Sequence, residues 1–551
     1  MKIDGCTYHH GGHYFQYAFA AIPGLASTIQ QLSDTPWRLS AQTHERVRRA
    51  MLAQRIYCNQ LDVPLSLSGR KPFVEYCMRI LPRGLDALAR SGTPDGKQEI
   101  DAEVAAAYLR LAPGAVNEQP YARLGIKPEP EPNGAFVMPY GALLSHRRGN
   151  WLASVHGQSK YVWGTERQGK VNCFGLFQGL GHLEILAGGN PVSAKGSGRE
   201  ESGWDWRRFE GTTVPQLPLV KMDKGWTSKY SPEAFVGGLS HQGRHGIFAM
   251  TLNQPMPDSK TLKGRKSWFL SDERILCLGS DISCDDPEYP TQTTLCQKRL
   301  PRNETGELLS TSLDGSEFIG FPEERSLEQT RSHWFLDVQH TGYYLPAGQR
   351  ATVARRHQHS RQYCDQGDTE GDFLTAWIDH GKAPGAGSYE YMLVVRATSE
   401  TMRRLAADPP YRVMQRDEAA HIVWDAAGSR WSCVLFVSLE VSAHTVAADT
   451  LQIKAVDRPC LIMTEAMRDG RLAVSVADPD LNLEGGVSKP RPLRVTLRGE
   501  WRILDATATV CAWELPDASE NVQILSTDED ETVVEILCLH GASYDMKFAR
   551  E

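Results

Sequence analysis

The chain has 551 residues and a mass of 61.3 kDa, which predicts about three or four domains at roughly 100–200 residues per domain. Hydrophobic residues make up 41% and charged residues 23%, a composition that excludes a wholly disordered chain. The net charge of −7 disfavours non-specific nucleic-acid binding, so any anionic ligand needs a local cationic site. No apolar run reaches the ~18 residues of a membrane-spanning helix.

The first 17 residues and the cysteine pattern indicate whether the chain carries an export signal and whether it forms disulfides. The start has neither a charged n-region nor an apolar h-region, so no signal peptide is visible in this chain. Twelve cysteines are spread from Cys6 to Cys538 without a CxxC pair. This dispersal favours buried free thiols over a disulfide framework, and it argues against a zinc ribbon.

Helical patterns come first along the chain. Residues 20–112 are predicted to be helical; in the stretch 41–57, for example, Val47, Met51 and Ile56 repeat at helical spacing. Residues 127–134 then place proline at every second position, which forbids a helix and predicts an extended linker.

Strand patterns dominate the remaining 400 or so residues. Short β-branched or alternating runs are bounded by Gly, Asp and Pro, which predicts antiparallel sheets in large sandwiches rather than βαβ units. The runs are residues 151–155, 274–278, 392–395, 421–424, 434–441, 472–476 and 533–537. A break near residues 370–400 is predicted to separate a large sandwich from a smaller C-terminal one.

The densest group of chemically active side chains lies at the start of the chain. It comprises Tyr8, His9, His10, His13, Tyr14 and Tyr17, around two glycines. Three interpretations remain open. In the first interpretation, His9, His10 and His13 bind a transition metal, although no carboxylate is nearby in the sequence. In the second, the segment is a frayed chain end. In the third, a histidine and a tyrosine converge on one substrate proton as an acid/base pair.

Further candidates are dispersed along the chain. Arg70, between Gly69 and Lys71-Pro72, offers a planar fork of donors for an anion, against the simpler role of a surface arginine capping a helix. Glu166 would orient an arginine, or would be a solvated loop carboxylate. Trp204 and Trp206 would stack on sugar rings, or would be core residues of a sandwich.

Several motifs are absent or incomplete. The alternating acids at residues 478–482 lack the glycine and the terminal acid of a calcium loop. The sequence contains no GxxxxGK[ST], no GxGxxG after a strand and no GxSxG. Nucleotide-dependent and α/β-hydrolase chemistry therefore lose support.

Longer motifs match one family in order over nearly the whole chain. Residues 4–19 and 32–37 resemble the chondroitin sulfate ABC lyase branch of the chondroitin/hyaluronan polysaccharide lyases, family 8 of the polysaccharide lyases. The further matching segments are residues 67–73, 146–151, 162–166, 203–206, 211–213, 272–279, 377–382 and 478–481. The resemblance implies an α+β multidomain fold, in which a partial α/α toroid precedes antiparallel β-sandwich (supersandwich) domains.

The resemblance also implies a reaction and its residues. The reaction is β-elimination at a uronic acid of chondroitin or dermatan sulfate, with hyaluronan as a further substrate, to give 4,5-unsaturated products. The family's catalytic residues fall on His10, Tyr17, Arg70 and Glu166. Asn172 matches a family asparagine; candidate substrate-binding residues are Asn172, His13, Trp204 and Trp206. No metal ligand and no cofactor are implied, although a need for a divalent cation such as calcium stays open.

The chain departs from the family in its length, because the family's N-terminal sandwich and first toroid helices would precede Asp4. Three explanations stay open: a partner polypeptide supplies the missing half, the gene model is truncated, or the chain is a degenerate relative. The alternative function is thus a non-catalytic carbohydrate-binding protein. We expect domains at residues 1–125, 133–385 and 390–551, a glycosaminoglycan partner, and a secreted or periplasmic location by resemblance alone.

Overall fold

The structure is a computed structural model that describes residues 1–73, 81–114, 118–167, 171–222, 227–228, 230–440 and 451–550. Helices come first and antiparallel sheets follow, which confirms the predicted α+β order. Among the described residues, no helix combines the length and the apolar content that crossing a membrane requires.

Five helices form the N-terminal layer. They are α1 (Phe15–Leu32), α2 (Ala41–Tyr57), α3 (Leu81–Ala89), α4 (Ala102–Leu111) and α5 (Glu118–Arg123). The residue before α2, Ser40, accepts a hydrogen bond from the Thr43 amide, and Asp101 before α4 accepts from the amides of Glu103 and Val104. These side chains cap the free N–H groups at each helix start, and a hairpin of Tyr8–His9 and Gly12–His13 precedes α1.

A buried arginine from the first sheet joins the two layers. Arg147 is 1% exposed, and its guanidinium donates to the carbonyls of Ile56 at 3.0 Å and Cys58 at 2.6 Å. These carbonyls lie at the C-terminus of α2, where the helix itself provides no donors. Asp4, also buried, accepts from the Tyr140 amide at 2.9 Å, so the chain start is fixed to the same sheet region.

In the part of the chain that the structure describes, the paired strands of the sheets run antiparallel. The four-stranded sheet nearest the helices has the order Gly134–Met138, Leu143–Arg148, Trp151–His156, His182–Leu186. The nine-stranded sheet has the order Val236–His241, His245–Pro255, Thr261–Ser271, Arg274–Cys284, Gly387–Val394, Gly342–Leu345, His333–Leu336, Thr311–Leu313, Ser316–Phe318. Its five-stranded partner has the order Glu323–Ser326, Ala351–Arg361, Asp368–Lys382, Pro290–Arg299, Thr213–Pro215.

Two further sheets form the C-terminal sandwich. The eight-stranded sheet has the order Tyr411–Arg416, Ala420–Asp425, Arg430–Leu435, Cys460–Ala466, Leu472–Ala477, Ser543–Arg550, Trp501–Val510, Trp513–Glu514. The five-stranded sheet has the order Leu439–Glu440, Ile453–Val456, Arg491–Arg498, Glu531–Cys538, Val522–Thr527. The end of the predicted strand 434–441, at Val441, lies outside the described residues.

Small elements complete the described fold. Two-residue strands pair as Glu166–Arg167 with Thr227–Ser228, and as Leu483–Glu484 with Val487–Ser488. The short helices are Leu65–Leu67, Pro139–Gly141, Gly175–Phe177, Leu219–Met222, Pro257–Ser259, Ser399–Ala407 and Ala518–Asn521.

Alternating side chains stack these sheets into consecutive layers. On the strand His245–Pro255, Phe248 and Met250 pack into the core shared with the helices and the first five-stranded sheet. Ile247 and Ala249 face the other way, into a core shared with the eight-stranded sheet. Because successive strand residues point to opposite faces, one sheet serves both cores. A separate core fills the C-terminal sandwich.

The cysteines are dispersed through these cores. Of the eleven that the structure describes, ten are buried, and none is paired in a disulfide. Cys77 lies outside the described residues. The buried thiols act as small apolar side chains.

Candidate active site

A tight turn before α1 presents His10. His10 has φ 52° and Gly11 has φ 101°, and the strands on either side pair in the register Tyr8 with His13. A Cβ atom on Gly11 would lie 1.8 Å from the Tyr230 hydroxyl. Only glycine therefore fits beside His10, and the turn that holds the imidazole is fixed by packing.

Tyr17 lies in the first turn of α1, close to His10. Its ring is 39% exposed, and it stacks on Tyr14 with a centroid distance of 4.5 Å and an interplanar angle of 19°. The Tyr17 and His10 rings meet edge to face at 5.8 Å. Arg70 Cζ lies 6.0 Å from the Tyr17 ring centroid, so the phenol is open to solvent and next to a cation.

Glu166 joins two of the candidate residues. Its carboxylate is fully buried, and Oε1 lies 2.6 Å from Arg70 Nη2 and 3.3 Å from His10 Nδ1. Burial alone would raise the pKa of Glu166, but hydrogen bonding, first from Arg70, holds the pKa below its ordinary value. The same hydrogen bond raises the pKa of Arg70. Both groups stay charged, and the pair fixes the guanidinium and the imidazole.

The loop that carries Arg70 is held from both sides. Asn172 is buried with φ 48°, and its amide nitrogen donates to the carbonyls of Gly69 at 2.8 Å and Glu166 at 3.1 Å. The Gln16 amide donates to the Ser68 carbonyl. Asn172 therefore links the Arg70 loop to the Glu166 strand without facing solvent. It is placed as a positioning residue rather than the substrate contact that the sequence predicted.

The structure corrects the sugar-stacking interpretation of Trp204 and Trp206. Both indoles are buried, at 3% and 0% exposed, so neither face is open to a sugar. Instead, Phe73 packs against them at centroid distances of 5.3 and 5.8 Å. Because Phe73 lies three residues after Arg70, the two tryptophans form the wall behind the Arg70 loop.

His13 also lies away from solvent. It is buried against Tyr57, with ring centroids 4.8 Å apart, and its Nδ1 accepts a hydrogen bond from the Thr7 amide. Burial lowers the pKa of His13 to about 3. Since its ring is turned into the core, it does not join His9 and His10 in a metal site, and the predicted substrate contact is not formed.

Two residues to which the sequence analysis gave no role of their own complete the cluster. Tyr14 lies beside Glu166, and burial followed by that carboxylate raises the pKa of its phenol far above the ordinary value. Trp163 packs edge-on against His10 at 6.0 Å, and its backbone amide donates to Gly11. Tyr14 precedes α1 as its N-cap residue and Tyr17 lies in the first turn, so their spacing by three residues was the signal in the sequence that the two rings lie close together.

The structure has a helical half-toroid packed on a supersandwich. A cluster of tyrosine, histidine, arginine and glutamate lies where the two meet, and this combination of fold and site defines one class of protein. The family model for the supersandwich domain of polysaccharide lyase family 8 matches residues 140–406, and the model described as the catalytic lyase domain matches residues 1–118. The chain belongs to polysaccharide lyase family 8.

Relatives of known name support this membership. A chondroitin sulfate ABC exolyase of Bacteroides thetaiotaomicron is 31% identical over 100% of this chain and 56% of its own length. An enzyme of the same name from Proteus vulgaris is 32% identical over 89% of this chain and 48% of its own. The chain thus spans about half the length of these curated relatives.

Solved structures agree on the fold. A Paenibacillus xanthan lyase superposes with a TM-score of 0.79 at 17% identity, over 100% of this chain and 52% of that one. A chondroitin AC lyase of Streptomyces coelicolor gives 0.76 at 17% identity, over 100% and 72%.

Proposed function

We propose that this chain is a polysaccharide lyase that cleaves uronic-acid-containing glycosaminoglycans by β-elimination, with chondroitin and dermatan sulfate as substrates and hyaluronan as a further one. The observation that carries the proposal is the shared oxygen Glu166 Oε1, which binds both Arg70 and His10 beside an exposed Tyr17. The relatives named as chondroitin sulfate ABC exolyases support the substrate class.

The chemistry begins at the uronate. A base removes the C5 proton, the electron pair forms a C4–C5 double bond, and the C4–O bond to the preceding sugar breaks while an acid protonates the leaving oxygen. The intermediate places extra negative charge on the carboxylate, so neutralising that group lowers the barrier. We assign this role to His10: Glu166 holds Nδ1, which leaves Nε2 for the substrate carboxylate.

The proton transfers fall to Tyr17. Of the two stacked tyrosines, Tyr14 is buried beside Glu166, and its raised pKa keeps it protonated. Tyr17 is exposed and lies next to the Arg70 cation, which offsets the negative charge that develops on the Tyr17 oxygen while protons are transferred. After taking the C5 proton, the Tyr17 hydroxyl is the acid that protonates the leaving oxygen. Tyr14 then serves as the stacking support.

Two other parts of the proposal follow from the substrate. A long, charged polysaccharide does not cross a cell membrane unaided, so we propose that the protein is secreted or periplasmic. A non-catalytic carbohydrate-binding protein is disfavoured, because such a role does not require His10 and Arg70 to share one buried carboxylate beside an exposed tyrosine. The chain's binding partner in this proposal is the polysaccharide itself.

The decisive experiment follows the ultraviolet absorbance of the unsaturated uronate. Purified wild-type chain, Tyr17→Phe and the distant surface control Tyr289→Phe are incubated with chondroitin sulfate, dermatan sulfate and hyaluronan. We expect the wild type and the control to generate product, and Tyr17→Phe to lose about 10²- to 10⁴-fold in rate. Binding of the polymers by the wild type without any absorbance gain supports the carbohydrate-binding alternative and contradicts the proposal.

A further inference from the structure

A second cluster of reactive side chains lies on the hairpin Ala351–Arg361 and Asp368–Lys382, apart from the Tyr17 site. In the strand register, His357 pairs with Asp372 and His359 pairs with Glu370. Because strand residues two apart share a face, the four side chains project from the same side of the sheet. The side chains of His357, His359 and Glu370 are 40%, 78% and 67% exposed, so an ion reaches them from solvent.

Three potential ligand atoms converge there. Glu370 Oε2 lies 3.4 Å from His357 Nε2 and 3.6 Å from His359 Nδ1, and all three ligand atoms lie within 4.8 Å of one another. Tetrahedral zinc, with bonds of about 2.0–2.1 Å, separates its ligand atoms by about 3.3 Å. The side chains therefore need only small rotations to surround one ion.

The outer contacts resemble those around known metal ligands. His357 Nδ1 lies 2.7 Å from Asp372 Oδ1, so the carboxylate holds the ring with Nε2 turned toward Glu370. Arg302 Nη2 in turn donates to the other Asp372 oxygen at 2.7 Å. A carboxylate on the far nitrogen of a ligating histidine fixes the ring and makes it a better ligand.

We propose that His357, His359 and Glu370 form a binding site for a transition-metal dication of the zinc class. Two imidazoles and one carboxylate suit such ions, whereas calcium takes six to eight oxygen ligands. Three protein ligands leave a fourth position for water. The site is separate from the elimination chemistry, which uses His10, Tyr17, Arg70 and Glu166.

A bound ion would stabilise the hairpin that supports the catalytic loop. The turn of this hairpin contains Tyr363, whose carbonyl accepts from the Cys173 amide at 2.8 Å, one residue after Asn172. An ion that links His357 and His359 on one strand to Glu370 on the next binds the native state and not the unfolded chain. It therefore raises the melting temperature, and the rise grows with the logarithm of the free ion concentration once that concentration exceeds Kd.

Calorimetric titration of the full metal-free chain with ZnCl₂ tests the site. The variants are His359→Ala, which removes one ligand, and Glu370→Gln, which keeps the side-chain shape but removes the charge. His340→Asn, at an exposed turn histidine with φ 63°, is the matched control because asparagine tolerates that conformation. Melting curves with and without ZnCl₂, and the visible spectrum with Co²⁺, provide readouts besides activity.

We expect one ion per chain, at least ten-fold weaker binding in both ligand variants, and loss of the zinc-induced rise in melting temperature only in those variants. The control should behave as the wild type. The absence of stoichiometric binding in the wild type overturns the proposal. The proposal is also overturned if the ion stays bound in both ligand variants and is lost in His9→Ala. Such an ion would belong to the exposed pair His9 and His10 at the N-terminus.

Discussion

Arg70 Nη2 and Glu166 Oε1 lie 2.6 Å apart, although 96 residues separate them along the chain. Arg70 belongs to the helical layer, and Glu166 lies on the connection between the third and fourth strands of the first sheet. The carboxylate is buried, whereas the guanidinium is partly exposed. The pair therefore anchors a cation at the boundary between the two layers, where the guanidinium is open to solvent.

Glu166→Gln should preserve the side-chain shape and remove the charge that holds Arg70 and His10. Because the amide cannot form the same ion pair, we expect the catalytic rate to fall by about 10² or more, with a smaller change in KM, as for loss of a group that acts on the transition state. Initial rates of unsaturated uronate formation measure this. Glu304→Gln, on an exposed loop, is the control, and equal rates in the two variants would refute the role of Glu166.

Asn172 allows its amide and its backbone conformation to be tested separately. Asn172→Gly keeps the left-handed conformation and removes the amide, while Asn172→Ala removes the amide and adds backbone strain. If the amide positions Arg70, kcat falls by about ten-fold or more in both variants, and only alanine lowers the melting temperature further. A kcat loss that tracks the melting temperature instead would show a merely structural residue.

Arg147→Met should weaken the contact between α2 and the first sheet. The change leaves the carbonyls of Ile56 and Cys58 without their donor, and an unsatisfied buried acceptor costs about 1–3 kcal/mol. We expect a total loss of roughly 2–5 kcal/mol in the free energy of unfolding of the helical layer. Denaturant titration followed by circular dichroism measures it. Arg123→Met, on the exposed end of α5, should leave the transition unchanged.

The charge of Asp205 should make the free energy of unfolding depend on pH in the acid range. Burial opposes its charge, but Arg207, which binds both carboxylate oxygens, and Arg208 lower its pKa to about 2. The pKa of Asp205 in the folded chain lies below the unfolded value of 3.8. The contribution of the ionised carboxylate to the free energy of unfolding is therefore complete above about pH 5, and it is lost as the pH falls through 3.8 toward about 2.

Asp205→Asn removes this titration. At neutral pH the variant should be the less stable, because two arginines lose a buried partner. Its deficit against the wild type should shrink by about 1 kcal/mol between pH 6 and pH 3. Unfolding curves at several pH values measure the deficit, and a pH-independent deficit would contradict the assigned pKa.

The sequence predicted elements best where the pattern was local. The predicted helix 41–57 coincides with α2, and the predicted strand 472–476 lies within Leu472–Ala477. The predicted change from helices to strands falls between α5 and the strand Gly134–Met138. The spacing of apolar residues and the residues that form turns determine such elements, so the pattern of one sequence is enough to predict them.

The site was less accessible from the sequence. Its four catalytic candidates came from a family resemblance, because no periodicity shows that residues 96 or 156 positions apart share one oxygen. The burial of Trp204 and Trp206 depends on Phe73 covering them, a long-range contact that local composition does not encode. Tyr14 was named in the N-terminal cluster but received no role, because the family's tyrosine falls on Tyr17.

The extended segment at residues 127–134 divides the reacting groups between two parts of the chain. His10, Tyr17 and Arg70 precede it, and Glu166 follows it. Several positions in this segment are exposed, so a protease site inserted there would yield two fragments. Neither fragment alone contains a complete set of reacting groups. Turnover regained on mixing them would therefore report reassociation of the two parts, and the lyase reaction would serve as its own complementation assay.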